Sequence, residues 1–346
     1  MTQELTQKLR IRYFFTYPAV MDGGGGGKII KDITDKLSES YDCQPVDITA
    51  KELDFEVFLV FGFTYINPEV LAWYQSKGVK VVLYPIFDRM KPFWQIKILK
   101  AIMLKLPVLN VYSLRKQALA SADLIITGNE SETRDLVELY DGDRNKIKML
   151  HYAIDDNFFE IEKNIDKNLF FEKYGFTNFV FCPASCIYPR KNQITLIKAL
   201  KGTGIKLVLN NTHIIKGYDP KEFHNLVDND PNILCLERPD REMMISCYKN
   251  TKVSVSVSQA ETAGLVNLEA GYLGCNLVVS DLEALREYLG DYATFVDQNS
   301  EQSIKTAIVK AMKTNYNPDL KKFVLKNYTW DHHITELSKY INEIAK

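Results

Sequence analysis

Two glutamates eight residues apart, Glu261 and Glu269, stand in S-Q-A-E-T-A-G-L-V-N-L-E-A-G-Y-L-G-C-N-L-V-V-S-D, residues 258–281. The pattern predicts a strand that ends near Ser258, a loop that holds Glu261, and a helix that begins near Gly264 and carries Glu269. A helix start offers unpaired N–H groups and the positive end of a dipole to an anion. One carboxylate in front of it and another one to two turns along would hold polyol hydroxyls on either side of a bound phosphate. As bare spacing the pair is weak, because glutamates so separated arise by chance. Its context strengthens it: Leu265, Val266 and Leu268 are apolar, and a glutamate beside a buried face needs a partner.

Arg190 and Lys191, in I-Y-P-R-K-N-Q, sit at a predicted helix start. Cations there oppose the helix dipole and so point to an anionic partner, the bland alternative being an exposed helix start. A third element is Gly23–Gly27, five consecutive glycines predicted to form a loop between the first strand and a helix. Glycine lets backbone N–H groups approach a phosphate closely, so Gly24, Gly25 and Gly26 are candidates for phosphate or substrate contact, with a flexible lid as the alternative. Neither G-x-G-x-x-G nor G-x-x-x-x-G-K-[ST] is met, since Ile29 follows Lys28. None of the five histidines suggests a metal or hydrolytic centre. His151 ends a strand, and the adjacent His332 and His333 cannot share one helix face. H-E-x-x-H and G-x-S-x-G are both missing from the sequence.

The elements that must position these groups alternate regularly. Apolar runs at Leu9–Thr16, Glu56–Phe61, Val79–Pro85, Asp123–Thr127 and Ile147–His151 are separated by helical stretches, among them Lys28–Ser40, Pro68–Lys77, Ser113–Ala122 and Ser131–Tyr140. The rhythm repeats in Phe179–Pro183, Ile205–Leu209, Ile233–Leu236, Val253–Val257, Leu277–Ser280 and Thr294–Val296. Near-continuous apolar strands joined through helices imply parallel sheets covered on both faces, hence an α/β protein of two doubly wound, Rossmann-like domains with five or six strands each. The boundaries are expected at residues 1–155, 156–328 and 329–346, the last an amphipathic terminal helix that returns to the first domain. E-I-E-K-N-I-D-K-N reads as a linker or the lead-in to a short helix.

Composition narrows the function classes. With 346 residues, 46% hydrophobic and 25% charged, the chain has ample apolar surface for two cores and is not disordered. Lys+Arg 43 against Asp+Glu 44 leaves a net charge of −1, so wrapping nucleic acid is not expected. The N-terminus, M-T-Q-E-L-T-Q-K-L-R, has no apolar core of a secretory leader. Six scattered cysteines do not read as a disulfide framework, and Cys182 with Cys186 lacks a second pair at zinc-ligand spacing. The expectation is a reduced, cytoplasmic protein. From Arg89 through Ala122 there are seven cations, Arg89, Lys91, Lys97, Lys100, Lys105, Arg115 and Lys116, and no Asp or Glu. Interleaved with Trp94, Ile98 and Ile102, the segment Arg89 to Lys116 reads as a surface for anionic headgroups on the inner face of a membrane, or as a core helix with a solvated cationic edge.

The combination resembles the family 4 glycosyltransferases, retaining and metal-independent enzymes of GT-B fold that use nucleotide-sugar donors. The resemblance runs over nearly the whole chain. It includes the glycine run, A-S-A-D-L-I-I-T-G-N-E-S-E-T-R-D-L, Y-A-I-D-D-N-F-F, I-Y-P-R-K-N-Q-I-T-L-I-K-A-L, the E-x7-E pair and the terminal Y-T-W-D. It implies an active site in a cleft between the two domains, with Glu261 holding hydroxyls of the donor sugar and Glu269 the nucleotide ribose. Gly264, Leu265 and Val266 would offer amides to the pyrophosphate, and Lys191 matches the family's pyrophosphate-binding lysine. Two positions depart from the pattern. Cys186 stands where the family usually has an arginine, a charge Arg190 would have to supply. L-Y-P-I-F-D-R-M-K-P lacks the usual histidine near the sugar, which leaves Asp88 or Arg89 for that contact. The implied function is transfer of a sugar from a UDP- or GDP-linked donor to a saccharide or lipid-linked saccharide, with no metal cofactor. The alternatives are a catalytically silent nucleotide-sugar-binding accessory subunit and a nucleotide-sugar epimerase of the same fold. Base, sugar, acceptor and oligomeric state are not encoded in these motifs.

Overall fold

The computed structural model describes residues 8–15, 25–47, 49–50, 52–64, 66–89, 91–105, 110–210, 219–228 and 230–346. The chain divides into two compact units, Met1–Tyr152 with Trp330–Lys346, and Ala153–Thr329. The chain thus crosses between the units at Tyr152/Ala153 and Thr329/Trp330.

The first unit runs β1 (Arg10–Phe15), α1 (Gly25–Ser40), β2 (Asp42–Pro45), β3 (Val57–Phe61), α2 (Pro68–Ser76) and β4 (Lys80–Tyr84). It continues through α3 (Phe93–Met103), α4 (Val111–Ala120), β5 (Leu124–Thr127), α5 (Glu130–Tyr140) and β6 (Ile147–Met149). The strands form one parallel sheet in the order β2-β1-β3-β4-β5-β6. Every residue of β3 is buried, as the unbroken run V-F-L-V-F requires of a central strand covered on both faces. Phe58, Val60, Val81, Leu83, Ile125 and Leu136 lie in the core beneath α2, α4 and α5. Gly25–Gly27 are not in a loop: they form the first turn of α1, where Gly27 is buried. Gly24 lies outside the described residues.

The second unit holds α6 (Asp156–Asn164), α7 (Leu169–Tyr174), β7 (Phe179–Cys182), α8 (Gln193–Leu200), β8 (Lys206–Leu209), α9 (Lys221–Val227) and β9 (Ile233–Cys235). It continues through α10 (Arg241–Asn250), β10 (Val253–Ser256), α11 (Leu265–Tyr272), β11 (Asn276–Ser280), α12 (Glu283–Leu289), β12 (Ala293–Val296), α13 (Glu301–Lys313) and α14 (Asp319–Asn327). The segment after Phe159, read as a linker or the lead-in to a short helix, continues α6 as far as Asn164 and then leads into the short helix α7. The second sheet is also parallel, in the order β12-β11-β10-β7-β8-β9. Its first and fourth strands, β7 and β10, lie side by side, so successive connections leave them in opposite directions. That reversal opens a crevice at the carboxyl ends of the two strands, the usual ligand position in a doubly wound sheet.

The final helix, α15 (Trp330–Ile344), belongs to the first unit and packs on α1. Trp330 donates through Nε1 to Asp32 at 3.1 Å. His333, fully buried, sets Nδ1 2.9 Å from the His151 carbonyl and Nε2 3.2 Å from the Tyr84 hydroxyl. A carbonyl only accepts, so Nδ1 carries the proton and Nε2 accepts from Tyr84. Burial holds the imidazole neutral, its pKa lowered to about 4. This histidine is a structural anchor.

Candidate functional site

In the second unit the turn after β7 carries Arg190 and Lys191, the loop after β10 carries Glu261, and α11 carries Glu269. After β7 the chain makes a short turn, Pro189–Lys191, and after β10 it passes through residues 257–264 into α11. The two stretches are laced together. The Gln259 amide donates to the Arg190 carbonyl at 2.7 Å, and Arg190 Nε donates to the Ala260 carbonyl at 3.0 Å. Asn192, in a left-handed conformation at φ 57°, donates from Nδ2 to the carbonyls of Val257 and Gln298. Three strand-end loops are thereby tied to one side chain.

Lys191 Nζ lies 2.5 Å from Glu261 Oε1, a pair in which the lysine side chain is 23% exposed and the carboxylate 9%. Burial alone would raise the Glu261 carboxyl, but Lys191 and Arg190 outweigh it and hold the group below the usual range, so it is ionised at neutral pH. The anionic partner that Lys191 was expected to need is therefore supplied from within the chain.

Gly264 caps α11 at φ 60°. A Cβ there would come within 2.7 Å of Asn267 Nδ2 and Leu285 Cδ2, so the sharp entry into the helix requires glycine. Leu265 and Val266 follow, half-buried, as the first helical residues; helix geometry leaves their N–H groups without an intrahelical acceptor. Beneath them Asn267 is fully buried with neither amide atom hydrogen-bonded. A buried amide in that state marks polar capacity that water or a ligand can satisfy.

Glu269, one turn further along and 4% exposed at its side chain, is gripped by Arg241, with Nη2 to Oε1 at 2.6 Å and Nη1 to Oε2 at 3.2 Å. Arg241 Nη2 also reaches Asp155 Oδ2 at 2.9 Å, and its guanidinium stacks 4.9 Å from the Phe158 ring centroid. Asp155 in turn caps α6 through the Phe158 amide at 2.8 Å. Sequence reasoning missed Arg241. The available signal was the one used for Arg190: a cation directly after the capping Asp240, at a helix start that disfavours it.

Four of the remaining candidates belong to the first unit. Gly25 and Gly26 are in α1 of the first unit. Asp88 is half-buried in the loop after β4. Its neighbour Arg89 donates to Asp135 Oδ2 at 3.0 Å, which ties it to α5 and uses its charge structurally. The same loop carries Ile86 at φ 48°, a strained conformation for a β-branched residue. Glu132 clamps it, accepting from the Phe87 amide at 2.7 Å and from Gly128 at 2.8 Å. Burial pushes the Glu132 carboxyl up to about 7. Cys186 is half-buried and its carbonyl accepts from Gln193 Nε2 at 2.6 Å. All six cysteines are free thiols. Among the described residues no cluster of three or more His, Cys, Asp or Glu side chains is arranged to hold a metal ion.

Residues 162–329, nearly all of the second unit, match the family described as glycosyl transferases group 1. The whole chain aligns with a glycosyltransferase from Rickettsia africae (TM-score 0.70, 12% identity, 99% of each chain covered). It aligns equally with Anabaena HepE in complex with UDP-glucose (TM-score 0.72, 13% identity, 97% of this chain and 100% of that one). The chain has the GT-B fold, and its match to the group 1 glycosyl transferases is confined to residues 162–329. A third likeness is the sucrose-phosphate synthase of Thermosynechococcus elongatus, at TM-score 0.70 and 11% identity over 97% of this chain and 99% of the other. No curated protein matches the sequence.

Proposed function

We propose that this GT-B protein is a retaining glycosyltransferase that moves a sugar from a UDP- or GDP-linked donor to a saccharide or lipid-linked saccharide acceptor, with envelope polysaccharide or glycolipid assembly as its setting. The observation that carries the reading is the Lys191–Glu261 pair held beside the start of α11 at the switch point of the second sheet. HepE, solved with UDP-glucose, supports the donor class.

In this reading the donor pyrophosphate meets the Leu265 and Val266 amides and Lys191, Glu261 accepts from sugar hydroxyls, and Glu269 accepts from the ribose. A carboxylate has about four lone-pair sites, so Glu269 can keep both Arg241 contacts and still receive a hydroxyl. As the anomeric C–O bond breaks, its electron pair stays on the departing phosphate. Fixed N–H dipoles and Lys191 stabilise that charge more in the transition state than in the ground state, which is what lowers the barrier. The departing phosphate oxygen takes the proton of the incoming hydroxyl, so no protein nucleophile is needed. Lys191, Arg190 and the helix start supply the positive potential, with no role for a metal ion.

Glu261→Ala is expected to lower transfer by about a hundredfold to a thousandfold, the cost of one such polar contact, while leaving the fold intact because Lys191 is partly hydrated. Turnover from a panel of nucleotide sugars, read beside the thermal melt, checks this. Normal turnover in the variant contradicts the site assignment. A wild-type protein that binds donor but transfers nothing to any acceptor, in keeping with Cys186 at the arginine position, supports the accessory-subunit reading instead.

A further inference from the structure

The first unit carries a surface that the reaction does not use. In α3 only Ile96 is buried, and Trp94, Ile98 and Ile102, spaced four residues apart, form an outward stripe at 61%, 53% and 54% exposure. The helix is therefore not a core helix with a solvated edge: its inner side faces α5, and its outer side is apolar. The seven cations of the segment separate into two groups. Arg89 is bound to Asp135, while Lys100 and Lys116 both reach Asp141 at 2.7 Å. Arg115 is enclosed by Phe63, Phe87 and Tyr140 and donates to the Tyr140 hydroxyl. These four serve the fold. Lys91, Lys97 and Lys105 are exposed, flank the stripe, and have no acidic partner among the described residues; Lys97 lies over the Phe93 ring.

We infer that the outer face of α3 docks on an anionic lipid bilayer, with Trp94, Ile98 and Ile102 inserted at headgroup depth and Lys91, Lys97 and Lys105 on the phosphates. Three observations favour lipid over another occupant. The stripe is a convex helix face with an indole at one end, a shape and composition suited to the interfacial layer. The exposed cations beside it, Lys91, Lys97 and Lys105, have no acidic partner among the described residues, in a chain whose net charge is −1. A second copy meeting the same face across a two-fold axis would bring these unpaired lysines against one another. No described helix is long and apolar enough to cross a membrane, so attachment is peripheral. It is independent of the chemistry proposed for the second unit.

Co-sedimentation of the full chain with phosphatidylglycerol/phosphatidylcholine vesicles, against phosphatidylcholine alone, tests the docking. The wild type is expected to bind the anionic vesicles only and to be released by salt. Replacing Lys91, Lys97 and Lys105 together by Ala should weaken the partition about a hundredfold, each cation near the surface contributing roughly 1 kcal/mol. Ile98→Ser with Ile102→Ser should abolish it, whereas Lys116→Ala, whose charge is spent on Asp141, should leave it within about twofold. All the replaced side chains are exposed, so unchanged melting curves will show that the fold is kept. Equal binding by the triple-lysine variant, or none by the wild type, overturns the inference. So does a concentration-dependent dimer, or a tight protein complex, that Ile98→Ser dissociates while vesicle binding persists.

Discussion

Lys191, Arg190 and Arg241 in the second unit and Lys91, Lys97 and Lys105 in the first are cations in opposite circumstances. The first three are held against buried oxygen: Lys191 on Glu261, Arg190 on the Ala260 carbonyl, and Arg241 between Glu269 and Asp155. The other three stand in water around an apolar stripe. A cation fixed in a partly dry crevice by its own carboxylate is pre-positioned, so charge that develops beside it is stabilised without reorganisation. A hydrated lysine on a helix margin contributes little to the fold and is open to whatever anion approaches, subject to salt. The difference separates a site for chemistry from a surface for attachment.

Removing one charge from each set sharpens that separation. Arg241→Ala leaves the Glu269 and Asp155 carboxylates buried with no cation between them, and unfolding titrations are expected to show a loss of about 3–5 kcal/mol. Lys97→Ala should stay within roughly 0.5 kcal/mol of the wild type. Similar losses from the two would erase the distinction. A smaller effect, of order 3 kcal/mol, belongs to Glu132, the clamp on the strained Ile86 loop. Its carboxyl is raised in the folded protein from 4.5 to about 7, so its contribution is fully present below about pH 4.5 and is lost as the pH rises to about 7. Stability of the wild type relative to Glu132→Gln is therefore expected to fall across that window. A flat difference would mean that the carboxyl is ionised throughout.

Much of the architecture was legible because parallel strands buried on both faces must be apolar runs, and V-F-L-V-F or K-V-V-L-Y admits little else. β2, D-C-Q-P, escaped notice. It is an edge strand with one buried residue and a terminal proline, and so carries no such run. The glycine run misled in part: glycine signals a turn statistically, yet three of the five enter α1. Glu261, Gly264 and Lys191 could be read from local grammar, a strand end followed by a helix start. The link from Arg241 to Glu269 and Asp155 could not, since it spans 28 and 86 residues and depends on how α10 is set against α6 and α11. In the basic segment the sequence counted seven cations correctly, but which of them were spent on Asp135 and Asp141 depended on the packing of α3 and α4.

The most direct test of the central claim, that the second unit's strand-end crevice binds a nucleotide sugar, is a thermal-shift panel of UDP, GDP, ADP and CMP with their sugars. It should be run on the wild type and on the double variant Lys191→Met/Glu261→Met, which removes both charges of the pair together. Ligand at about 100 times its dissociation constant adds roughly 2.7 kcal/mol. The account predicts a shift with one nucleotide class in the wild type and its loss in the folded double variant. An equal shift in both proteins, or no shift with any nucleotide in folded wild type, would contradict it.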